Sequence, residues 1–322
     1  MHQAQINAGI LGRKRGHKFE NTLSCAINNY NFVQIVPQRN ISHIFCGNPA
    51  HLLLQYLAND LNETIVAAKA WWLGALATSG VGDRLLDENG NPITKSKSDI
   101  LIELVLKTNI KKLIGISVKT CDKKTPTNDQ MYFTTAKAFC NLLETNGIHV
   151  SDEAIKGLSQ FCGDIGYRPK DMLDESLLRL RISDPNRFYW EELSITAQNE
   201  WKMIFTMHQD AITRLLFQKA YKNDPYAPDY LIHQTVRYEN FDCCTVALFS
   251  MDEIVSYSKQ YSSYALSTYT IRKGTYKHDN AIHSAPRFGY IQFQRGGQKQ
   301  HPTQLQFNLK AGYFKHLPIV TD

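Results

Sequence analysis

A chain of 322 residues with 43% hydrophobic content and a net charge of +6 can build a real core, and its length fits one elaborated domain or two intimately packed ones. It has no run of eighteen or more apolar residues to span a membrane, and its first residues lack the charged-then-apolar pattern of a secretory signal. The seven cysteines contain no Cys-x-x-Cys pair, and Cys243 and Cys244 are adjacent, so a reduced, cytoplasmic chain with structural thiols is expected.

Positive charge is unevenly spread. Lys259–Asp322 holds nine Lys/Arg against two Asp/Glu, and Lys95–Lys124 holds eight lysines against three acids. Two basic segments, one around a candidate cleavage centre, suggest a polyanionic partner. Lysines that merely solvate two surface hairpins would give the same tally.

In chain order, the basic stretch Arg13–Arg15 leads into a helix whose apolar face is Phe19, Leu23, Ala26, Ile27 and Tyr30, with Glu20 on its flank. A second helix opens at Pro49, where proline suits the first turn. A third is predicted through Thr64–Ala77, with Trp71 and Trp72. Gly80–Ile93 reads as turn and loop. After Lys119 a loop reaches Asp129, predicted to cap a helix that runs to Gly147 and buries Phe133, Ala136, Phe139, Cys140 and Leu143. Residues 151–230 read as helical, the longest piece being Trp190–Tyr221 with Leu193, Ala197, Trp201, Ile204, Phe205, Ile212, Leu215 and Leu216 on its stripe. Cys243–Phe249 is predicted to be a short buried strand, and Ser250 with Glu253 forms a capping box that opens a helix. The last sixty residues turn to tyrosine-rich strands, ending in Pro286–Gln294 and Thr303–Lys310.

The stretch from Asp99 to Lys119 carries the most chemistry. Asp99 opens one apolar β-like run, and Ser117 and Lys119 close the next, pointing to the same side because strand side chains alternate. Paired as a hairpin, the two runs set Asp99 beside Ser117 and Lys119. A carboxylate that holds Mg²⁺ beside a lysine that orients a water is the minimum kit for cutting a phosphodiester. Glu103 shares the strand face of Asp99, but four residues of strand span about 13 Å, too far to share one ion.

The C-terminal hairpin forms a second constellation. Leu305, Phe307 and Leu309 face one side, and Gln304, Gln306, Asn308 and Lys310 the other, with Arg295, Gln298, Lys299 and Gln300 in the preceding connection. Arginine reads guanine edges and Gln/Asn read adenine edges, and a two-stranded ribbon fits the major groove. An amphipathic edge hairpin whose glutamines meet water has the same spacing. The absence of any acid from His283 to Ile319 favours DNA. The eleven histidines show no ligand spacing, and Gly80 with Gly82 lacks the remainder of a phosphate loop.

The order strand, turn, strand, helix, with Asp99 on the first strand and Ser117-x-Lys119 on the second, resembles the PD-(D/E)xK nuclease superfamily, best known from type II restriction endonucleases, over roughly residues 15–150. Ser98 stands where proline is often found, and Ser117 where the family expects an acid. The resemblance implies an α/β restriction-endonuclease-like core, a central mixed sheet flanked by helices, with a helical insertion and a C-terminal β-rich DNA-binding region. It implies Mg²⁺ held by Asp99, with Glu20 of the N-terminal helix as second carboxylate, Lys119 orienting the water and Ser117 giving a hydrogen bond at most. Gln130, expected at the start of the following helix, would contact a phosphate or a metal-bound water. It is not followed by the Gln-x-x-x-Tyr pattern, since position 134 is threonine.

The expectation is therefore a nuclease core over 1–150 and a helical plus β-rich recognition region over 151–322. The expected activity is Mg²⁺-dependent, sequence-specific cleavage of double-stranded DNA by a homodimer, alongside a methyltransferase acting on the same site. The rival readings are a repair or recombination nuclease on the same core, a DNA-binding protein without catalysis, and an enzyme unrelated to nucleic acid.

Overall fold

The computed structural model describes residues 2–38, 43–74, 76, 83, 85–87, 89–121, 129–181, 184–218, 224, 226–234, 240–271, 278–295 and 304–310. The chain forms two compact units. One takes residues up to 127 together with 217–254, and the other takes 128–216 with 255–313. The expected segments 1–150 and 151–322 do not map one to one onto these units, because the chain leaves the first unit and returns to it.

In the first unit, helix α1 (His2–Asn28) precedes strand β1 (Ile44–Gly47), helix α2 (Pro49–Leu61), β2 (Ile65–Trp72), β3 (Ile100–Leu106) and β4 (Lys111–Thr120); β6 (Tyr230–Gln234) and β7 (Cys244–Ser250) return later. The six strands make one sheet in the order β1-β7-β6-β4-β3-β2. β4 and β6 run parallel and the other pairs antiparallel, so the sheet is mixed. The hairpin predicted between the apolar runs is β3 with β4, in a register that sets Ile100 opposite Ile116 and Ile102 opposite Ile114. Its turn uses Asn109 at φ 62°, a conformation asparagine tolerates. Ile100, Ile102, Leu104, Ile116 and Val118 bury one face of the hairpin in a core with Phe19, Leu23 and Ile27 of α1 and Leu53, Leu54 and Leu57 of α2. Helix α2 starts at Pro49 as predicted, its N-cap Asn48 accepting the Ala50 amide at 2.9 Å.

The helix predicted over Thr64–Ala77 is instead strand β2. Its three alanines read as helix formers, but the segment also carries Ile65, Val66, Trp71 and Trp72, which suit a pleated surface. Pairing with β3 from Ile65–Leu106 to Trp72–Ile100 decides the matter, as tertiary hydrogen bonding outweighs a weak local preference.

In the second unit, β5 (Asp129–Thr134) is followed by α3 (Ala136–Thr145), α4 (Asp152–Cys162), the short α5 (Pro169–Met172) and α6 (Glu175–Leu180), then α7 (Ile195–Met207). α8 (Gln209–Gln218) and α9 (Met251–Tyr261) complete the helices, and β8 (Ala265–Ile271), β9 (His278–Phe288), β10 (Ile291–Arg295) and β11 (Leu305–Leu309) the strands. An antiparallel sheet runs β5-β11-β10-β9-β8. The core is aromatic: Phe205 stacks on Phe288 at 4.6 Å between ring centroids, and Trp190 meets Phe293 edge-on at 5.4 Å.

Four expectations are corrected here. Asp129 does not cap a helix. It begins β5, Thr135 is the N-cap, and Phe133 is 51% exposed, since the Gln130–Phe133 stretch pairs with β11 at strand period. The helix Trp190–Tyr221 is divided by Ser194, which caps α7, and by a break at His208, although every residue of its stripe is buried. Pro286–Gln294 is not one strand. Gly289 turns it at φ 51°, and a Cβ there would sit 2.1 Å from Ser258 Oγ. β11 is not a hairpin edge, being paired on both sides, to β10 and to β5. The capping box is present: the Ser250 amide donates to Glu253 Oε2 at 3.0 Å and the Glu253 amide to Ser250 Oγ at 3.3 Å.

All seven cysteines are free thiols; Cys121, Cys140, Cys162 and Cys244 are buried, while Cys25, Cys46 and Cys243 are exposed. Among the described residues, no helix is long and apolar enough to cross a membrane. Because Leu104 of β3 is fully buried in the core that the sheet shares with α1 and α2, Leu104→Ala should destabilise the chain by about 2–5 kcal/mol in urea unfolding.

Candidate active site

The entry to β3 and the end of β4 lie side by side. The Asp99 amide donates to Ile116 O at 2.9 Å, extending the ladder one residue ahead of β3. In return the Val118 amide donates to Asp99 Oδ2 at 2.6 Å, and Ser117 Oγ donates to the same oxygen at 3.4 Å. Lys119 Nζ lies 4.0 Å from Asp99 Oδ2 and donates to Ser117 Oγ at 3.3 Å and Val118 O at 3.1 Å. The Asp99 and Lys119 side chains are 25% and 21% exposed, so both are partly open to solvent. Ser117 is buried at 1%. It carries no charge, and its hydroxyl links the lysine to the aspartate.

Glu20 joins this group from α1. It is buried at 6% rather than lying on a solvated flank, because it follows Phe19 into the packed face of the helix. Its Oε2 accepts the Trp72 indole at 2.9 Å. Burial, then the charge of Asp99, pushes its carboxyl up to about 8, against the Trp72 hydrogen bond and the pull of Lys119. Glu103 stays apart, pairing with Lys111 at 3.1 Å.

Several residues here carried no signal in the sequence. Burial, then the charge of Lys119, lowers the Lys97 ammonium to about 8, while Asp99 and Asp224 pull the other way. The Asp224 carboxylate accepts from Ser96 Oγ at 3.2 Å, from the Tyr226 amide at 3.0 Å and from the Lys97 amide. Ser98 Oγ donates to Tyr226 O at 2.6 Å. The segment that delivers Asp99 is thus clamped to the one that delivers β6. Gly115 lies under this clamp. Its amide donates to Asp229 Oδ2 at 2.9 Å, and an added Cβ would meet Ala227 O and Ser98 Oγ at 2.4 Å. No short motif could find these contacts, which span more than a hundred residues of chain.

The nucleic-acid candidates belong to the second unit. Gln130 is exposed on β5, not at a helix start. Asn308 is buried at 5% between Gln292 and Gln130, so it does not stand on an open ribbon. Gln304 and Gln306 are half-buried. Lys310 Nζ donates to the Tyr261 hydroxyl and sits 4.7 Å from that ring's centroid. Arg295 ends β10, and Gln298, Lys299 and Gln300 lie outside the described residues.

Among the described residues, no group of three or more His, Cys, Asp or Glu is gathered to hold a metal ion. Glu20 and Asp99 form a two-carboxylate set. Each oxygen pair is a hard donor of the kind Mg²⁺ takes. Burial and the charge of Asp99 keep Glu20 protonated, and a cation between the two would offset both effects. By chemistry, two hard carboxyl groups of this kind suit a small divalent cation.

The sign of the Glu20 shift fixes a pH dependence. Between about 4.5 and about 8 the folded chain keeps a proton that the unfolded chain has lost, so stability is fully present below pH 4.5 and falls as pH rises through 8. The slope is at most about 1.4 kcal/mol per pH unit. Urea unfolding from pH 4.5 to 9 should show this fall in EDTA, a weaker fall in Mg²⁺, and neither in Glu20→Gln. A separate test of the clamp is Gly115→Ala, which should lower the unfolding midpoint markedly, because the clashing atom at Ala227 is backbone.

No family model matches the chain, and no curated protein matches it. Among solved structures it is similar to restriction endonuclease MspI in complex with its cognate DNA, at 14% identity and a TM-score of 0.43, over 80% of this chain and 75% of that one. At that distance the reading of the site stands on its own geometry.

Proposed function

We propose that the chain is a Mg²⁺-dependent endonuclease that hydrolyses phosphodiester bonds in double-stranded DNA at specific sites, in the manner of a type II restriction enzyme. One observation carries this reading: Asp99, Lys119 and the buried Glu20 converge where β3 begins and β4 ends. It is supported by the resemblance of Asp99 and Ser117-x-Lys119 to the PD-(D/E)xK pattern, and by the mixed sheet that carries them.

In this reading Asp99 and Glu20 would hold the cation. When bound, Mg²⁺ neutralises charge on the phosphoryl group and on the leaving oxygen. Asp99 is pre-oriented by the Val118 amide, which would fix the carboxylate for the ion. Glu20, protonated without a cation, would ionise beside one and supply the charge that Ser117 lacks. The Lys119 ammonium, fixed by Ser117 Oγ and Val118 O, donates to the attacking water and holds it in line with the phosphorus. A palindromic target would be matched by a two-fold homodimer, and a methyltransferase acting on the same sequence would protect the host's own DNA in the cytoplasm.

A second reading is favoured by the burial of Asn308 and by the interior position of β11. With Asn308 withdrawn from that ribbon, the same centre would serve a nuclease that recognises DNA shape rather than sequence. Digestion of plasmid DNA separates the two, discrete bands supporting site specificity and a smear supporting the second reading. In either case Lys119→Ala should slow cleavage about 10²–10⁴-fold. Asp99→Asn, which keeps an acceptor for the Val118 amide, should abolish Mg²⁺-dependent cleavage while the chain still binds DNA in EDTA. Retained cleavage in Asp99→Asn would remove the nuclease assignment.

A further inference from the structure

We infer that Trp72 is a positioning residue for the Glu20–Asp99 set, its indole N–H holding the Glu20 carboxyl beside the entry to β3. The inference rests on the two-carboxylate centre of the nuclease reading and names the segment that gauges its span. Trp72 ends β2 and pairs with Ile100 at the start of β3. The chain then continues alongside Asp99: the Leu73 and Gly74 amides both donate to Asp99 O, at 2.9 and 3.1 Å. Trp72 Nε1 donates to Glu20 Oε2 at 2.9 Å. Three consecutive residues therefore grip both acids, Glu20 by its carboxyl and Asp99 by its main chain.

The indole is itself held in place. Strand alternation sends the Ala70 and Trp72 side chains to one face, and Ala70 is buried in the core with Phe19 and Leu23 of α1. About two turns beyond Glu20 on α1, Asn28 forms a reciprocal pair with Ala70: Nδ2 donates to the Ala70 carbonyl at 2.8 Å, and Oδ1 accepts its amide at 2.7 Å. Helix and strand are thus fastened at Asn28 and again at Glu20. The Trp72 backbone is tied in turn to Asp83, its amide donating to Oδ2 and its carbonyl accepting the Asp83 amide, each at 2.8 Å. His17 meets the indole edge-on, at 6.2 Å between ring centroids. Gly74 supplies the room. A Cβ there would lie 2.0 Å from Trp72 Nε1 and 2.3 Å from Cε2, so any other residue would drive the N–H off Glu20. A ligand carboxyl held by such an outer hydrogen bond keeps one orientation, and losing the bond weakens metal binding about 10–100-fold.

Urea unfolding of the full chain without DNA, repeated across a Mg²⁺ titration at fixed pH, tests the role. A cation that binds the folded chain raises its unfolding free energy, and the form of that rise gives the Kd for Mg²⁺. Trp72→Phe, which keeps a ring but loses the N–H, should raise this Kd about 10–100-fold. Gly74→Ala, which keeps the indole but takes its place, should raise it too, and it carries the test if Trp72→Phe does not fold. Trp71→Phe, one residue away on β2 with Lys69 Nζ 5.0 Å from its ring centroid, should leave the Kd unchanged. A role in packing alone would lower stability in EDTA and in Mg²⁺ alike without moving the Kd. An unmoved Kd in Trp72→Phe or in Gly74→Ala, or an equal rise in Trp71→Phe, overturns the inference and leaves the nuclease reading to its own cleavage test. A chain with the Trp72-dependent Kd that cuts no DNA keeps the positioning role and loses the nuclease. A chain whose stability does not respond to Mg²⁺ loses the two-carboxylate centre and this inference with it.

Discussion

One hydrogen bond holds the candidate site in register: the Val118 amide on Asp99 Oδ2. The bond ties an acid just outside β3 to the backbone of β4, and from it follow the nearness of Ser117 and Lys119 and the field felt by Glu20. It requires that β3 and β4 pair in their observed register. A slip by one residue would turn Ser117 and Lys119 to the other face of the sheet. The buried row of Ile100, Ile102, Ile116 and Val118 prevents such a slip, so core packing specifies the site as firmly as its polar atoms do.

Periodicity is what makes parts of this fold legible from sequence. The apolar runs on either side of Asn109, the stripe of α7 and α8, and the Ser250–Glu253 capping box are local patterns, and the structure contains each. β2 and β5 are illegible because their local pattern is ambiguous. The alanines of 67, 68 and 70 suit a helix, and what decides otherwise is a partner strand supplied by distant chain. The same reason explains Asn308. Its polar spacing is visible in the sequence, but the strand that closes over it from β5 is not.

The site divides in the same way. Asp99, Ser117 and Lys119 can be placed together because a hairpin is a short-range object. The burial of Glu20 depends on how far along α1 the packed face extends, which spacing alone does not give. Asp224, Asp229 and Gly115 escape notice for a plainer reason: their bonds join residues more than a hundred positions apart. Gly115 reads as an ordinary small residue in a strand until the backbone above it is seen. The result is a centre whose carboxyl groups come from two segments and whose shape comes from a third.

The parallel pairing of β4 with β6 has a consequence for how the molecule is made. Residues 128–216 belong to the second unit and must all leave the ribosome before Asp224 and β6 do. A nascent chain that has reached the end of α8 already contains Glu20, Asp99 and Lys119 but lacks the clamp on Ser96 and Lys97 and the central neighbour of β4. Such late, long-range closure slows folding, and it also delays full assembly of the centre until most of the polypeptide has been translated.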